Sequence, residues 1–162
     1  MVIDKNMEAA LNKQILAELE SAYLYLSMAT WFDANDLPGG AHWMKKQFAE
    51  EQEHAMKIYE YVADRGGHVV LGAMAAPKNE WNSPQEVFEE TLAHEQKVTA
   101  LINGLVEQAL AAKDFATNEM LLWFVNEQVE EEKDAMAIVA KYHSMGNNPI
   151  SIAMIDKELA AR

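Results

Sequence analysis

The chain has 162 residues, of which 13 are Lys or Arg and 26 are Asp or Glu, so its formal net charge at pH 7 is −13. Half of the residues are apolar, which supplies a core and excludes a globally disordered chain. The acidic balance argues against a nucleic-acid partner, which needs a basic face, and favours cationic partners such as metal ions. There is no Cys, which excludes disulfide scaffolds, zinc fingers, iron–sulfur clusters and thiol nucleophiles.

No apolar run approaches the roughly 20 residues that a membrane-spanning helix needs. The first ten residues, MVIDKNMEAA, lack the apolar stretch of a signal peptide. We therefore expect a cytoplasmic protein without a membrane partner.

Proline and glycine divide the chain into long uninterrupted pieces, because both residues break or end helices. The prolines are Pro38, Pro77, Pro84 and Pro149, and Gly104 is the only glycine inside a periodic segment. We treat residues 1–162 as a single domain. The pieces predict helices at about 5–33, 40–65, 84–112 and 115–144, with a short fifth helix at about 149–160.

Capping signals support these boundaries. Ser83-Pro84-Gln85-Glu86 places Ser at the N-cap, Pro at the first helical position and Glu at the third, which is a capping box. Asp114 is predicted to cap the fourth helix, and Gly66-Gly67 to end the second. The short apolar run at 68–71 is predicted to lie in a loop.

The connection between the second and third helices is long. About 17 residues can span about 55 Å when extended, whereas a helix of about 28 residues is about 42 Å long. The connection can therefore return along the whole bundle, which makes the second and third helices parallel. The sequence predicts an all-α four-helix bundle with one long crossover loop.

Each long helix carries a mostly apolar stripe at the spacing of an inward face. Each stripe is interrupted by polar residues near the helix midpoint. Because midpoints share one level in a bundle whatever the helix direction, these groups are predicted to meet in a small central volume. They are Glu18, Glu51, His54, Glu95, Gln128 and Glu131.

Four carboxylates cannot all stay ionised in an apolar core without compensation. The stripes hold no Lys or Arg, so the compensation is either protonation or bound cations. Two divalent ions would offset four carboxylates, and oxygen-rich ligation with one imidazole suits iron or manganese. Glu51 is placed to bridge two ions, and His54, one turn further along, to ligate one of them.

The sequence resembles the non-haem prokaryotic ferritins over essentially its whole length. The resemblance implies the ferritin-like bundle, with a short fifth C-terminal helix. It is carried by SAYLY at 21–25, EEQEH at 50–54, HE at 94–95, WFVNEQVEEE at 123–132 and IDKEL at 155–159, together with AE at 17–18.

The resemblance implies iron storage and detoxification by a ferroxidase. Such a protein oxidises Fe(II) with O₂ or hydrogen peroxide and deposits ferric oxide mineral inside a cage. Two irons are implied, the first held by Glu18, Glu51 and His54, and the second by Glu51, Glu95 and Glu131. The second iron, which has no imidazole of its own, should be held more loosely, as suits iron that passes through.

Other residues receive roles through the same resemblance. Gln128 is implied as a weak ligand or hydrogen-bond donor. Tyr25 matches the tyrosine that family members keep beside the irons and is the candidate catalytic residue; a core tyrosine bonded to Glu95 is a compatible alternative. A third iron site is implied for Glu50, Glu127 and Glu130, and a solvated charged face is the alternative explanation there.

The chain differs from two neighbouring families, the bacterioferritins and the rubrerythrins. Bacterioferritins carry a second Glu-x-x-His motif, where this chain reads QVEE at 128–131. Gln52 stands where bacterioferritins place the Met that ligates haem, so no haem is expected. The Cys-rich module of rubrerythrins is absent.

The resemblance also implies self-assembly into a homo-oligomeric cage of 24 subunits. An acidic inner surface would concentrate Fe(II) and nucleate mineral. The short fifth helix is too small to stand alone, and we expect it to bury its apolar residues against neighbouring subunits. Those residues are Ile150, Ile152, Ile155 and Leu159.

Two other functions use the same residues. One is a di-iron oxidase or peroxidase that stores no iron. Cage assembly and the uptake of large amounts of iron would identify a storage protein instead. The other is a helical scaffold without catalytic activity, whose buried glutamates are protonated and bind no metal in fixed stoichiometry.

Overall fold

Five α-helices make up the computed structural model, which describes residues 2–162. There is no strand in this part of the chain, and the predicted all-α bundle with one crossover and a short fifth helix is confirmed. Within residues 2–162, no helix combines the length and the apolar character that crossing a membrane requires. The helices are α1 (Lys5–Ala34), α2 (Pro38–Asp64), α3 (Pro84–Ala111), α4 (Phe115–Met145) and α5 (Pro149–Leu159).

The helix ends follow the local chemistry of the sequence. The Ser83 hydroxyl accepts a hydrogen bond from the backbone N–H of Glu86 at 3.1 Å, and Asp114 caps α4 through the N–H of Thr117 at 3.2 Å. The Glu86 carboxylate does not complete the reciprocal half of the capping box, because it accepts from the N–H of Asn82 at 2.8 Å instead.

The start of α2 is where the predicted and observed helix bounds differ most. The helix begins at Pro38 rather than at residue 40, because proline is favourable at the first helical position. Gly39 and Gly40 therefore lie in the first turn, where neighbours leave no room for side chains. A Cβ on Gly40 would come within 2.4 Å of the Phe32 ring, and one on Gly39 within 1.7 Å of the Asp156 carbonyl oxygen.

Contacts at the two ends of the bundle fix its topology. Phe88, near the start of α3, packs on Trp43, near the start of α2, with ring centroids 5.2 Å apart. At the opposite end, Arg65 follows α2 and pairs with Asp114 at the start of α4, with 3.1 Å between Nη1 and Oδ1. Helices α2 and α3 are therefore parallel, and the crossover runs the length of the bundle.

Two apolar clusters fill the bundle, one towards each end. The first, which is rich in aromatic rings, includes Trp31, Phe32, Trp43, Phe88 and Tyr142. The second, which is mostly aliphatic, includes Met7, Leu11, Ile58, Ile102 and Leu121. The polar residues singled out in the sequence occupy the level between these clusters.

Helix α5 packs on the bundle of its own subunit. Ile155 and Leu159 are buried in the aromatic cluster, and Ile152 packs against it. The expectation that all the apolar residues of α5 would face neighbouring subunits is therefore wrong for these three. Ile150 is 74% exposed, because the amphipathic α5 turns its other face to the bundle.

Asp156 anchors α5 to the N-terminus of α2. Its carboxylate accepts hydrogen bonds from the backbone N–H groups of Gly40 at 2.7 Å and Gly39 at 3.0 Å. These amides have no partner inside their own helix, and the positive end of the helix dipole favours a negative charge there.

We expect Asp156→Ala to lower the free energy of unfolding by about 1–3 kcal/mol, because two buried amides lose a charged acceptor. Release of α5 should also speed tryptic cleavage after Lys157. Chemical unfolding and timed proteolysis measure the two effects. Glu107→Gln, which changes an exposed carboxylate on α3, is the control and should alter neither. Equal proteolysis of the two variants would show that Asp156 does not hold α5.

Candidate metal centre

The four long helices bring the predicted polar residues together at one level of the bundle. All six are buried, with exposed fractions between 0% for Glu95 and 6% for Glu131. Among the described residues, no Lys or Arg forms a salt bridge with any of the four carboxylates. The cluster consists of Glu18 on α1, Glu51 and His54 on α2, Glu95 on α3, and Gln128 and Glu131 on α4.

One group of potential ligands joins α1 and α2. Single ligand atoms of Glu18, Glu51 and His54 all lie within 4.8 Å of one another. His54 Nδ1 lies 3.3 Å from Glu51 Oε2, one helical turn away on the same face. This is the trio that the family resemblance implies for the first iron.

A second group joins α2 and α4. His54, Glu127 and Glu131 also offer ligand atoms within 4.8 Å of one another. His54 Nε2 lies 3.9 Å from Glu127 Oε1, so the imidazole stands between the two groups and presents one nitrogen to each. Glu127, which the sequence assigns to the third site, therefore lies close to the central cluster.

The other two residues of the predicted third site are occupied elsewhere. The Glu50 carboxylate accepts from Arg162 at 2.6 Å, and Glu130 pairs with Lys133 at 3.4 Å on an exposed surface. Neither belongs to a ligand group among the described residues. Their assignment to a third iron site stays a prediction.

Three buried glutamine amides each hold one carboxylate. Gln14 Nε2 donates to Glu18 at 2.8 Å, and Gln47 Nε2 donates to Glu131 at 2.7 Å. Gln128 Nε2 donates to the carboxylate of Glu95 at 3.0 Å and to its carbonyl oxygen at 3.2 Å. Since such bonds fix a carboxylate's orientation, the cluster is held in place before any ion binds.

The sequence pattern did not single out Gln14 and Gln47. Each precedes a cluster carboxylate by four residues on the same helix, Gln14 before Glu18 and Gln47 before Glu51. A search for amides one turn before each inward-facing carboxylate would have found both, although it would not have shown that Gln47 bonds across the bundle to Glu131.

Tyr25 lies directly beside the cluster. Its hydroxyl donates a short hydrogen bond to Glu95, and its ring packs edge-on against His94 with centroids 5.8 Å apart. The Ser21 hydroxyl donates to the Ala17 carbonyl and lies 2.7 Å from His94 Nε2, which must therefore be the donor to Ser21. Burial lowers the pKa of His94 to about 4, so the ring is neutral at pH 7.

Burial raises the pKa of all four carboxyl groups of the cluster. Desolvation raises the pKa of Glu18 and of Glu95, and it raises that of Glu131 to about 8. The pKa of Glu51 is raised well above its ordinary value by burial and then by the charges of the neighbouring carboxylates. The metal-free cluster therefore retains protons at neutral pH.

The donor set suits a divalent metal. Two buried acceptor atoms, Glu18 Oε2 and Gln47 Oε1, have no hydrogen-bond partner within residues 2–162. A buried acceptor without a donor is costly, and a cation satisfies it. Hard oxygen ligands with a single imidazole, and no thiolate in the chain, fit iron or manganese.

A family model described as a ferritin-like domain matches residues 8–145, which is most of the chain. The chain belongs to the ferritin family.

Relatives and solved structures agree with this assignment. The non-heme ferritin of Bacteroides fragilis is 42% identical over 161 residues, which are 99% of this chain and 100% of that protein. The corresponding Staphylococcus saprophyticus protein is 39% identical, over 99% of this chain and 96% of its own length. An open pore ferritin from the archaeon Archaeoglobus fulgidus superposes with a TM-score of 0.97 at 49% identity, over 99% of both chains. The resemblance to non-haem prokaryotic ferritins is confirmed.

We expect the metal-free ferritin to lose stability relative to Glu51→Gln as the pH rises from about 5 to about 8. The raised pKa of Glu51 means that the folded state binds more protons than the unfolded state in this range, so ionisation favours unfolding. The glutamine amide has no charge at any pH, so the variant does not carry the cost of ionising a buried carboxyl at this position. Thermal unfolding of both proteins across this pH range measures the difference in Tm.

Zn(II), a divalent ion without redox chemistry, should raise the Tm of the wild type more at pH 8 than at pH 5, because binding displaces protons. A Tm difference between wild type and Glu51→Gln that stays constant with pH would contradict the protonated cluster.

Proposed function

We propose that this ferritin is a ferroxidase that stores iron as ferric oxide mineral inside a homo-oligomeric cage of 24 subunits. The observation that supports this most strongly is the buried four-carboxylate cluster, whose partners among residues 2–162 are glutamine amides, one tyrosine and His54 but no Lys or Arg. Such a cluster needs protons or cations, and membership of the ferritin family favours Fe(II) as the cation.

An acidic opening between α2 and α4 provides a path for Fe(II). His54 lies at its base, and Lys57 lies against one wall, over the Trp123 ring at 4.4 Å from the centroid. Carboxylates around the opening attract cations towards the cluster. They are Glu50, Glu53, Glu60 and Glu127.

Binding of Fe(II) displaces protons from the raised-pKa carboxylates and satisfies the orphan oxygen of Glu18. We assign Glu18, Glu51 and His54 to the first iron and Glu51, Glu95 and Glu131 to the second, with Gln128 orienting Glu95. Among residues 2–162, no amide donates to Glu51, and its close donor is His54 Nδ1 at 3.3 Å from Oε2, which is itself an assigned ligand. We therefore assign Glu51 to bridge the two ions.

Oxidation removes one electron from each of two Fe(II) ions. Dioxygen accepts the pair with two protons and becomes hydrogen peroxide, or peroxide accepts the pair with two protons and becomes two waters. Anionic ligands stabilise Fe(III) over Fe(II), and two irons in one site deliver both electrons to a single oxidant. Hydrolysis of Fe(III) then yields mineral and releases protons.

The protein is expected to work in the cytoplasm and to bind no haem.

Tyr25 is the proposed catalytic residue beside the irons. Its hydroxyl bonds to Glu95, an assigned ligand of the second iron. Where a single Fe(II) is bound, the phenol can supply the second electron and one of the two protons that the oxidant takes up. The tyrosyl radical left behind then takes an electron from the next Fe(II) and a proton from water. Burial and the nearby carboxylates raise the pKa of Tyr25 well above its ordinary value, so the phenol keeps its proton.

The apoprotein should bind about two Fe(II) per chain in an anaerobic titration and oxidise them rapidly on exposure to O₂. Glu51→Gln and His54→Ala should slow oxidation by roughly 10- to 100-fold, because each removes a ligand. Ferric absorbance followed after rapid mixing measures the rate. Glu107→Gln on the exposed face of α3 is the control. Oxidation no faster than that of free Fe(II) in the wild type would exclude ferroxidase activity and leave a protonated scaffold.

Storage is tested separately from oxidation. Wild-type particles should continue to take up iron far beyond the stoichiometry of the ferroxidase sites, and mineral should sediment with the protein. Uptake that stops when those sites are filled would instead identify an oxidase that stores nothing.

Tyr25→Phe should bind Fe(II) with unchanged stoichiometry but oxidise it more slowly, because the ring still packs on His94 while the hydroxyl is lost. Titration and rapid-mixing kinetics separate the two effects. Loss of Fe(II) binding itself would assign Tyr25 to positioning Glu95 rather than to electron supply.

A further inference from the structure

Gly104 opens a groove on the side of the bundle away from the acidic opening. The groove lies between α1 and α3 and has a volume of about 480 Å³. A Cβ added to Gly104 would meet no atom of residues 2–162 within 4 Å, so the groove is open there. Glycine lowers the stability of a helix interior relative to alanine, and nothing packed against this position requires it. Small and apolar residues line the groove, including Ala10, Ala17, Leu101 and Leu105.

Gln14 is a buried residue that borders this groove. Its side chain lines the groove and is only 3% exposed. Its Nε2 donates to Glu18 Oε1 at 2.8 Å, while its Oε1 has no hydrogen-bond partner among residues 2–162. Glu18 Oε2 is also without a partner. One side chain therefore contacts both the groove and a proposed iron ligand, and rotation of its amide breaks one hydrogen bond.

The lining of the groove does not suit a cation. In the described part of the chain, no carboxylate lines it, and Lys13 contributes a positive charge. The opening between α2 and α4, in contrast, is lined by four glutamates. The negative charge of the acidic opening attracts Fe(II), whereas the lining of the α1–α3 groove offers no negative charge to attract it. A small neutral molecule meets no such electrostatic barrier there.

We propose that the groove between α1 and α3 is the access route for the neutral oxidant, O₂ or hydrogen peroxide, and that Gln14 is its gate. The proposal rests on the ferroxidase function above. Fe(II) and the oxidant then reach the cluster from different sides. The free amide oxygen of Gln14 can accept a hydrogen bond from the O–H of peroxide, which O₂ cannot donate.

Filling the groove tests the route. Apoprotein is loaded anaerobically with Fe(II) and mixed rapidly with O₂ or, in a second arm, with hydrogen peroxide. Gly104→Leu should lower the second-order rate constant for the oxidant by roughly tenfold, with unchanged Fe(II) stoichiometry and affinity. Gly104→Ala, which removes the glycine but adds one methyl group, should stay close to wild type. Ala63→Leu, on an exposed position of α2 outside the groove, controls for an added surface leucine.

The two arms identify the oxidant that uses the groove. A loss confined to one arm assigns the route to that oxidant, and a loss in both assigns it to both. Gln14→Leu should slow the peroxide arm more than the O₂ arm, because it removes the hydrogen-bond acceptor. Wild-type rates for Gly104→Leu in both arms would overturn the proposal.

Failure of the route is distinguishable from failure of the ferroxidase function. If the wild type oxidises Fe(II) rapidly while Gly104→Leu is equally fast, only the route is wrong. If the wild type itself binds no Fe(II) or oxidises it no faster than solution, the function is wrong and the route falls with it.

Discussion

The burial of four carboxylates at one level of an apolar bundle is the constraint on which the rest of this ferritin depends. Each carboxylate comes from a separate helix, so the cluster exists only when all four helices are packed. Burial alone would drive the groups to protonation. The same energetic penalty supports the proposed cation site, since a bound ion would replace the protons and satisfy the acceptors that residues 2–162 leave without donors.

The surrounding structure offsets the energetic cost of burying four carboxylates. Apolar clusters on either side of the polar level hold the helices together. Gln14, Gln47 and Gln128 supply one donor each to three of the carboxylates, which limits desolvation without neutralising the charge. A lysine or arginine in their place would satisfy the carboxylates permanently and compete with metal. Amides stabilise the cluster and leave its charge available.

In the proposed scheme, the cluster is reached from two chemically different sides. Glutamates surround the approach between α2 and α4, whereas small residues and an amide form the approach between α1 and α3. His54 lies at the base of the first, and Glu18 lies behind Gln14 at the end of the second. A bundle with one ligand-bearing helix at each corner allows this separation, because opposite helix pairs face different surroundings.

The sequence by itself determined the fold class, the helix ends and the central cluster, because these follow from local rules. Proline and glycine positions, capping residues such as Ser83, and polar interruptions of apolar stripes such as Glu95 are readable along one helix at a time. Only the tertiary structure decided which groups pair across helices. Gln47 bonds to Glu131 rather than to its neighbour Glu51, Glu127 lies with His54 rather than with Glu130, and Asp156 caps α2 from a helix more than 100 residues away. These contacts depend on the rotation and offset of packed helices, to which a periodic pattern within one helix is insensitive.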